Sequence, residues 1–299
     1  MILLSREKIN MSREHKLSLR IADIDLNLKS SIPFDKLLLK KNLNLFQSIS
    51  SNSKNSINII INESSDLKNI YGTVHYDPGD MWKLYKDRGE VSAVIFDEKK
   101  RPKCVIKPSK GWNDNFVKIK FYGDEDRSII DSGTLELIFR TNLILNRGVV
   151  FHSSLVDDNG KGILFTGNSG DGKSTQSNFW KDVEGAEIVN EDRNAVRISD
   201  DGLHGYGIPW GGTAQKVANK KVKLNAILLI SKSQSNRVEL IQTEKAVPML
   251  IARSFFPFWD EELAGKAVDN INNIASRIPV YMLHCKPEKE IVGLVRKIL

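Results

Sequence analysis

Polar and apolar residues alternate along much of the first 130 positions of the chain. The alternation is clearest at residues 17–21, 56–61, 91–96 and 116–121. A period of two residues, interrupted by loops rich in Ser, Asn, Asp and Lys, is typical of β-strands with one solvated face. The pattern predicts an antiparallel sheet here, and no catalytic constellation is visible within it.

The period changes near residue 131. Apolar residues at 135, 138, 139 and 143 share one face of a helix, with Asp131 or Ser132 as its candidate N-cap and an end near Gly148. Two apolar strands follow at 149–156 and 163–166, joined by a turn. We predict a β-rich N-terminal domain of unknown role at 1–130 and a second domain at 131–299.

The remainder of the chain mixes strand and helix patterns. Strands are predicted at 186–190, 225–230 and 280–284, and helices at 261–277 and 288–299. The fold class is therefore α/β. Residues 253–259, one arginine followed by a largely aromatic run, fit either the core or a lid over a pocket, and the core is the preferred interpretation.

The densest chemical signal lies at residues 167–175. Gly167, Gly172, Lys173 and Ser174 occupy the fixed places of the phosphate-binding pattern G-x-x-x-x-G-K-[ST], with a buried strand before it and a helix after it. In such a loop, backbone N–H groups and the helix N-terminus surround phosphate oxygens, the lysine reaches the β and γ phosphates, and the serine hydroxyl binds Mg²⁺. The alternative is a chance glycine-rich turn. The predicted nucleotide-binding residues are Gly167, Asn168, Ser169, Gly170, Asp171, Gly172, Lys173, Ser174 and Thr175.

Three further segments accompany this loop in a fixed order. Residues 148–152, 188–193 and 205–212, taken with the loop, resemble the kinase domain shared by bacterial HPr kinase/phosphorylases and ATP-dependent phosphoenolpyruvate carboxykinases. The resemblance covers roughly residues 132–299. It implies a P-loop kinase domain with a mixed β-sheet and ATP and Mg²⁺ as cofactors.

The resemblance also implies roles for two neighbouring carboxylates. Glu191 matches the family's general base, and Asp192 matches the metal ligand that acts with Ser174. Phosphoryl transfer to a hydroxyl uses both groups, one to hold Mg²⁺ and one to accept the proton. A solvated acidic turn is the alternative. Family members usually carry Asp at the first position, so Glu191 is a departure.

Other residues of the resembling segments leave two interpretations open. His152 could touch the transferred phosphoryl group, as a catalytic residue beside Glu191 and Lys173, or could be a hydrogen-bonded histidine within the sheet. By the resemblance, the loop at 207–212 lies on the acceptor side, and Thr213, Gln215 and Lys216 after it could hold an anion; the alternative is a structural turn. Arg193 could bridge to phosphate, although a structural ion pair is the preferred interpretation.

The chain differs from HPr kinases in one motif and from carboxykinases in length and in ligand-binding residues. HPr kinases carry Glu and Arg where this chain has Gly202 and His204, which argues against HPr as the substrate. Carboxykinases are much longer and have further metal-binding and carboxylate-binding residues that are not found here. The chain is most similar to small relatives, such as kinases of free serine and kinases of modified-peptide gene clusters.

Composition excludes several other classes of protein. The 299 residues carry a formal net charge of +7 with a pI of about 9.2, which suits an anionic ligand, but no basic run interleaved with aromatics indicates a nucleic-acid partner. Cys104 and Cys285 are far apart, which argues against a disulfide scaffold or a zinc site. No apolar stretch is long enough to span a membrane, and the first ten residues are too polar for a signal peptide, so we predict a cytoplasmic protein.

These observations favour an ATP- and Mg²⁺-dependent kinase that phosphorylates a hydroxyl-bearing acceptor, which could be a peptide, a protein or a small molecule. Two alternatives stay open, a nucleotide-binding regulator without turnover and a carboxykinase-type lyase. The sequence does not indicate the acceptor or the oligomeric state.

Overall fold

The fold was analysed in a computed structural model of the chain. The structure describes residues 14–37, 41–49, 55–64, 72–79, 81–112, 116–121, 130–211 and 216–299.

The first half of the chain forms an eight-stranded sheet. Its order is β1-β2-β3-β8-β7-β6-β5-β4. The strands are β1 (His15–Ile21), β2 (Ile24–Ser30), β3 (Ser56–Glu63), β4 (Thr73–Tyr76), β5 (Trp82–Asp87), β6 (Glu90–Phe96), β7 (Pro102–Trp112) and β8 (Phe116–Phe121). All four strands predicted from the alternating pattern are confirmed.

The prediction that this sheet is antiparallel is wrong, because the sheet is mixed. β3 runs parallel to both of its neighbours, β2 and β8. The long connection from β2 to β3 contains two short 3-10 helices, and the strands β4–β7 precede β8, so neither parallel pair is a hairpin. Alternation identifies a strand and its buried face, but it carries no information on the direction of a distant partner.

One face of this sheet is buried. Leu19, Leu26, Ile59 and Ile119 have no exposed surface and belong to a large apolar cluster. The same cluster includes residues from beyond position 135, such as Phe139, and therefore extends to the second half of the chain. Burial of this apolar surface is the main stabilising contribution to the fold. The division of the chain at residue 130 stays a prediction.

The helix that follows the first sheet begins later than the sequence predicts. Helix α1 (Glu136–Leu145) has Leu135 at its N-cap position, without a side-chain cap, and a π-helical segment at Ile130–Leu135 precedes it. The predicted cap at Asp131 or Ser132 is therefore wrong, because those residues lie within the preceding helical turn. The helix is buried on most sides, which explains its stability without a capping side chain.

The second half of the chain forms another mixed sheet of eight strands. Its order is β10-β9-β12-β13-β14-β16-β15, and β11 pairs with β9. The strands are β9 (Gly148–Asp158), β10 (Lys161–Thr166), β11 (Glu187–Asn190), β12 (Arg193–Ser199), β13 (Gly202–Gly207), β14 (Lys221–Lys232), β15 (Arg237–Ile241) and β16 (Val280–Cys285). Because β10 also pairs with β14, the strands β9, β12, β13, β14 and β10 close into a ring.

Four helices accompany this sheet. They are α2 (Lys173–Glu184), α3 (Thr243–Ile251), α4 (Glu261–Ala275) and α5 (Glu290–Arg296). The predicted strands at 186–190, 225–230 and 280–284 and the predicted helices at 261–277 and 288–299 are confirmed, with ends shifted by a few residues. The α/β fold class is confirmed as well.

A buried arginine joins the two sheets. The Arg197 side chain donates hydrogen bonds to the carbonyl oxygens of Ala22 and Asp23 in the turn between β1 and β2, and to that of Asn146. The Asp23 carboxylate in turn accepts a hydrogen bond from the Tyr206 hydroxyl of β13 at 2.8 Å. The first sheet is thus hydrogen-bonded to the strands that carry the candidate site.

Candidate functional site

The glycine-rich loop lies between a buried strand and a helix, as its motif requires. β10 runs between β9 and β14, and every one of its residues except Lys161 is buried. Residues 167–172 form the loop, and α2 starts at Lys173. Phe165 packs near Trp180 of the helix, with ring centroids 6.5 Å apart. This packing fixes the helix N-terminus beside the end of the strand.

Two loop glycines adopt backbone conformations that other residues rarely reach. The φ angles of Gly170 and Gly172 are +81° and +103°. The Asp171 carboxylate accepts the backbone N–H of Asn168 at 2.6 Å, which braces the loop from within. The loop therefore has the local geometry for wrapping a phosphate group.

Lys173 folds back over this loop. Its Nζ donates to the carbonyl oxygens of Gly167 at 3.2 Å and Asn168 at 2.9 Å. Burial lowers the pKa of Lys173, and Arg253 lowers it further, whereas Asp171 and Asp192 act to raise it. Within the described residues its hydrogen bonds go to neutral carbonyl groups, and an anion can replace them as the partner of the amine.

The acidic pair occupies the turn between β11 and β12. Asn190 is buried and holds this turn, because its Oδ1 accepts the backbone N–H of Asp192 at 3.0 Å and that of Arg193 at 3.4 Å, while its Nδ2 donates to Ile208. The Asp192 carbonyl accepts the N–H of Ser153 on β9 at 2.9 Å. Sequence reasoning missed the role of Asn190, whose only signal was its place directly before the pair.

His152 and Asp192 are neighbours in this arrangement. Their Nδ1 and Oδ1 atoms lie 3.3 Å apart, and the other Asp192 oxygen lies 3.3 Å from Arg193 Nε. Burial lowers the pKa of His152, Lys173 and Arg193 lower it further, and Asp192 acts to raise it. The net effect lowers the pKa of His152, which favours the neutral imidazole.

A pH titration of His152 is expected to show these opposing effects on its pKa. We expect a midpoint below the ordinary value of 6.5 by NMR, with the signal assigned from a His152→Gln variant. Lys173→Ala removes a repelling cation and should raise the midpoint, whereas Asp192→Asn removes an attracting anion and should lower it. A midpoint at or above 6.5 in the unmodified protein would contradict this description.

Glu191 lies beside the second turn of α2. Its Oε1 is 3.5 Å from Asn178 Nδ2, which also donates to the carbonyl oxygen of Ser174 at 2.7 Å. Ser174 is exposed at the helix start. Both predicted carboxylates therefore lie close to the loop, Asp192 beside His152 and Glu191 beside the helix.

Two further arginines approach the site and were not singled out from the sequence. The Arg253 carbonyl accepts the N–H of His152 at 2.9 Å, and its guanidinium donates to the carbonyl of Met249. In the described ranges no carboxylate pairs with Arg253, and its Nε is buried without a hydrogen-bond partner. Arg140 and Arg193 lie over the Phe255 ring, 4.7 and 5.0 Å from its centroid. Only contacts between residues distant in sequence identify this cluster.

Arg193 forms the structural ion pair that was the preferred interpretation. Its Nη1 lies 2.6 and 2.7 Å from the two carboxylate oxygens of Glu136 in α1. The preferred core interpretation of the segment at 253–259 holds in part, since Phe255, Phe256 and Trp259 are partly buried and pack against the main apolar cluster. Phe258 is the exception, with 69% of its surface exposed.

The loop after β13 is described only in part. Gly207 ends β13, and a Cβ added there would lie 2.0 Å from the carbonyl oxygen of Ala218, so close packing requires glycine at this position. Gly211 faces Asn190 and Asp192. Thr213 and Gln215, two of the residues considered for anion binding, lie outside the described residues, and Lys216 is exposed.

A cleft of about 520 Å³ opens directly beside the loop. One wall consists of Gly170–Gly172, Thr175 and Gln176, and the other of residues that end β14 and β16 or follow them. β14 runs parallel to its neighbours β10 and β16. The cleft lies outside the carboxyl ends of these three strands, where α/β sheets commonly bind ligands.

Two broader observations concern metals and membranes. Among the residues the structure describes, no three His, Cys, Asp or Glu side chains are grouped so that they could hold a metal ion. Cys104 and Cys285 are free and buried. In those same ranges, no helix combines the length and the apolar character needed to cross a membrane.

Comparison with solved structures finds a distant similarity over half of the chain. The chain is similar to the HPr(Ser) kinase/phosphatase from Coxiella burnetii at 15% identity, over 50% of this chain and 95% of that chain, with a TM-score of 0.30. No family model and no curated protein matches this chain.

Proposed function

We propose that the protein is an ATP- and Mg²⁺-dependent kinase that transfers the γ-phosphoryl group to a hydroxyl acceptor. The observation that carries this proposal is the juxtaposition of the loop lysine with a histidine and a carboxylate. His152 Nδ1 lies 3.3 Å from Asp192 Oδ1. Lys173, at the start of α2, interacts electrostatically with both residues.

The loop would bind the triphosphate of ATP. Its backbone N–H groups and Lys173 supply positive charge where the β and γ phosphates would lie, and Arg253 adds a cation without a carboxylate partner in the described ranges. The cleft beside the loop has the volume for a nucleoside and is continuous with the loop residues Gly170–Gly172.

The oxygen ligands present also fit Mg²⁺. This ion takes few protein ligands, typically one or two carboxylates besides the phosphates and waters. Ser174 and Asp192 would supply such ligands, so the lack of a larger acidic group in the described ranges agrees with the proposal. The ion, when bound, would neutralise negative charge that develops between the β and γ phosphates.

Glu191 would accept the proton of the acceptor hydroxyl. As the oxygen–phosphorus bond to the acceptor forms, the bond between the γ phosphorus and the β–γ bridging oxygen breaks, and ADP leaves. His152 would contact the transferred phosphoryl group. The acceptor is a peptide or protein serine or a small molecule that carries a hydroxyl.

An acceptor assay tests this proposal against its two alternatives. Purified protein with ATP and Mg²⁺ should form a phosphorylated product only when a cell extract supplies an acceptor. Tight ATP binding without product in any extract would indicate a nucleotide-binding regulator. Efficient turnover with oxaloacetate would instead indicate a carboxykinase-type lyase.

HPr is expected to be a poor acceptor. Gly202 is the first residue of β13, and His204 is held near Ser199 and Asp201 in place of the acidic and basic pair of HPr kinases. We expect little label on purified HPr from γ-labelled ATP, under conditions in which extract components are labelled. Rapid and complete labelling of HPr would contradict this expectation.

A further inference from the structure

The outer face of the first sheet carries an unusual row of lysines. Register places Lys16 opposite Lys29, Lys29 opposite Ile60, Ile60 opposite Lys118 and Lys118 opposite Lys107. Residues paired in this way project from the same face, and adjacent strands are about 4.8 Å apart. Four of the five side chains in this row are therefore cationic, over a distance of roughly 19 Å.

The positive charge on this face is poorly compensated. Lys16 and Lys29 share a single carboxylate, that of Glu14, at 3.3 and 3.5 Å. Lys107, Lys118 and Lys120 are exposed, and the described part of the chain provides no carboxylate partner for any of them. Like charges directly opposite each other destabilise a sheet, so local folding gives no reason for lysines at both 107 and 118.

We propose that this lysine face, defined by Lys16, Lys29, Lys107, Lys118 and Lys120, binds an acidic segment of another polypeptide. A row of exposed ammonium groups complements closely spaced carboxylates, and its field would also speed their encounter. The chain carries a net charge of +7, and part of this excess positive charge lies on the lysine face. The inference goes beyond the proposed kinase activity and does not depend on it.

The aromatic residues of this face favour a polypeptide over a nucleic acid. Proteins that bind single strands on a sheet stack bases on exposed rings. Here the Phe116 ring is half-buried under Lys118, whose Nζ lies 5.9 Å from the ring centroid. Tyr85 and Phe96 pack against Val94 and Val105. All three rings are partly covered by neighbouring side chains, which argues against a platform for stacked bases.

The test measures binding of a labelled oligo-glutamate peptide to the full chain by fluorescence anisotropy. The test variant replaces Lys107, Lys118 and Lys120 by glutamine. The control variant makes the same change in charge at three exposed lysines away from this face, namely Lys161, Lys181 and Lys245. Thermal unfolding of both variants checks that the fold is kept. The unfolding temperature of the test variant should not fall, because its substitutions remove the repulsion between Lys107 and Lys118.

We expect the test variant to bind the peptide about tenfold or more weakly, since three exposed ion pairs are lost, and the control variant to bind like the unmodified protein. Binding of the unmodified protein should weaken as salt increases. Equal loss in both variants, or no peptide binding at low salt, would overturn the proposal. Tighter binding of a single-stranded RNA, lost in the test variant alone, would overturn it in favour of a nucleic-acid partner.

Discussion

Lys173→Ala is expected to weaken ATP binding by roughly a hundredfold. The lysine is the only side-chain cation that the described loop contributes, and its ammonium group now bonds only to the carbonyl oxygens of Gly167 and Asn168. Hydrogen bonds to charged groups each contribute about 1.5–3 kcal/mol, so loss of its contacts to phosphate should cost about 3 kcal/mol. Calorimetric titration with ATP and Mg²⁺ gives the Kd of both proteins.

Lys181→Ala is the matched control for this experiment. Lys181 lies on the same helix, two turns further from the loop, and is exposed. Its removal changes the net charge by the same amount, so an unchanged Kd would assign the effect to the position of Lys173. An unchanged Kd in Lys173→Ala, with the fold intact, would remove the claim that this loop binds phosphate.

Glu191→Gln is expected to lower turnover by roughly 10²-fold to 10⁴-fold while ATP affinity survives. Glutamine keeps the shape of the side chain, but it cannot accept the proton of the acceptor. The lower end of that range is favoured, because a hydroxyl that ionises late in a loose transition state needs less help from a base. Steady-state turnover and ATP titration on the same preparation separate the two effects.

The Asp192→Asn variant is compared with Glu191→Gln to separate metal binding from base catalysis. If Asp192 holds Mg²⁺, its loss should impair both metal-dependent ATP binding and turnover. Glu191 lies near the start of α2, and Asp192 lies near His152, so both are close enough to the loop for the roles to be exchanged. Loss of ATP affinity in Glu191→Gln but not in Asp192→Asn would show that the two roles are exchanged. Full activity of Glu191→Gln would exclude Glu191 as the base.

The loop and its flanking elements could be predicted because their signals are local. A strand, six loop residues and a helix start follow each other directly in sequence, and the glycines and the lysine of the motif lie within that short stretch. Strands with alternating burial were found for the same reason. The helix start at residue 136 was missed because its turn is stabilised by burial instead of a capping side chain.

The rest of the site depends on contacts between distant residues. Arg253 reaches the site through backbone pairing with His152, a hundred residues earlier. Glu136 holds Arg193 from a different element, and Asn190 acts through the backbone of the residues after it. The parallel pairing of β3 with β2 and β8 is equally non-local. None of these partners leaves a periodic or spaced pattern in the sequence.

The most direct test of the central claim follows the γ-phosphoryl group itself. Purified protein and its Glu191→Gln variant are incubated side by side with γ-labelled ATP, Mg²⁺ and cell extract, at an ATP concentration that saturates both. The account predicts that label moves to a stable acceptor with the unmodified protein and at least about a hundredfold more slowly with the variant. Equal rates for both proteins, or ATP binding by both without any transfer of label above the extract alone, would contradict it.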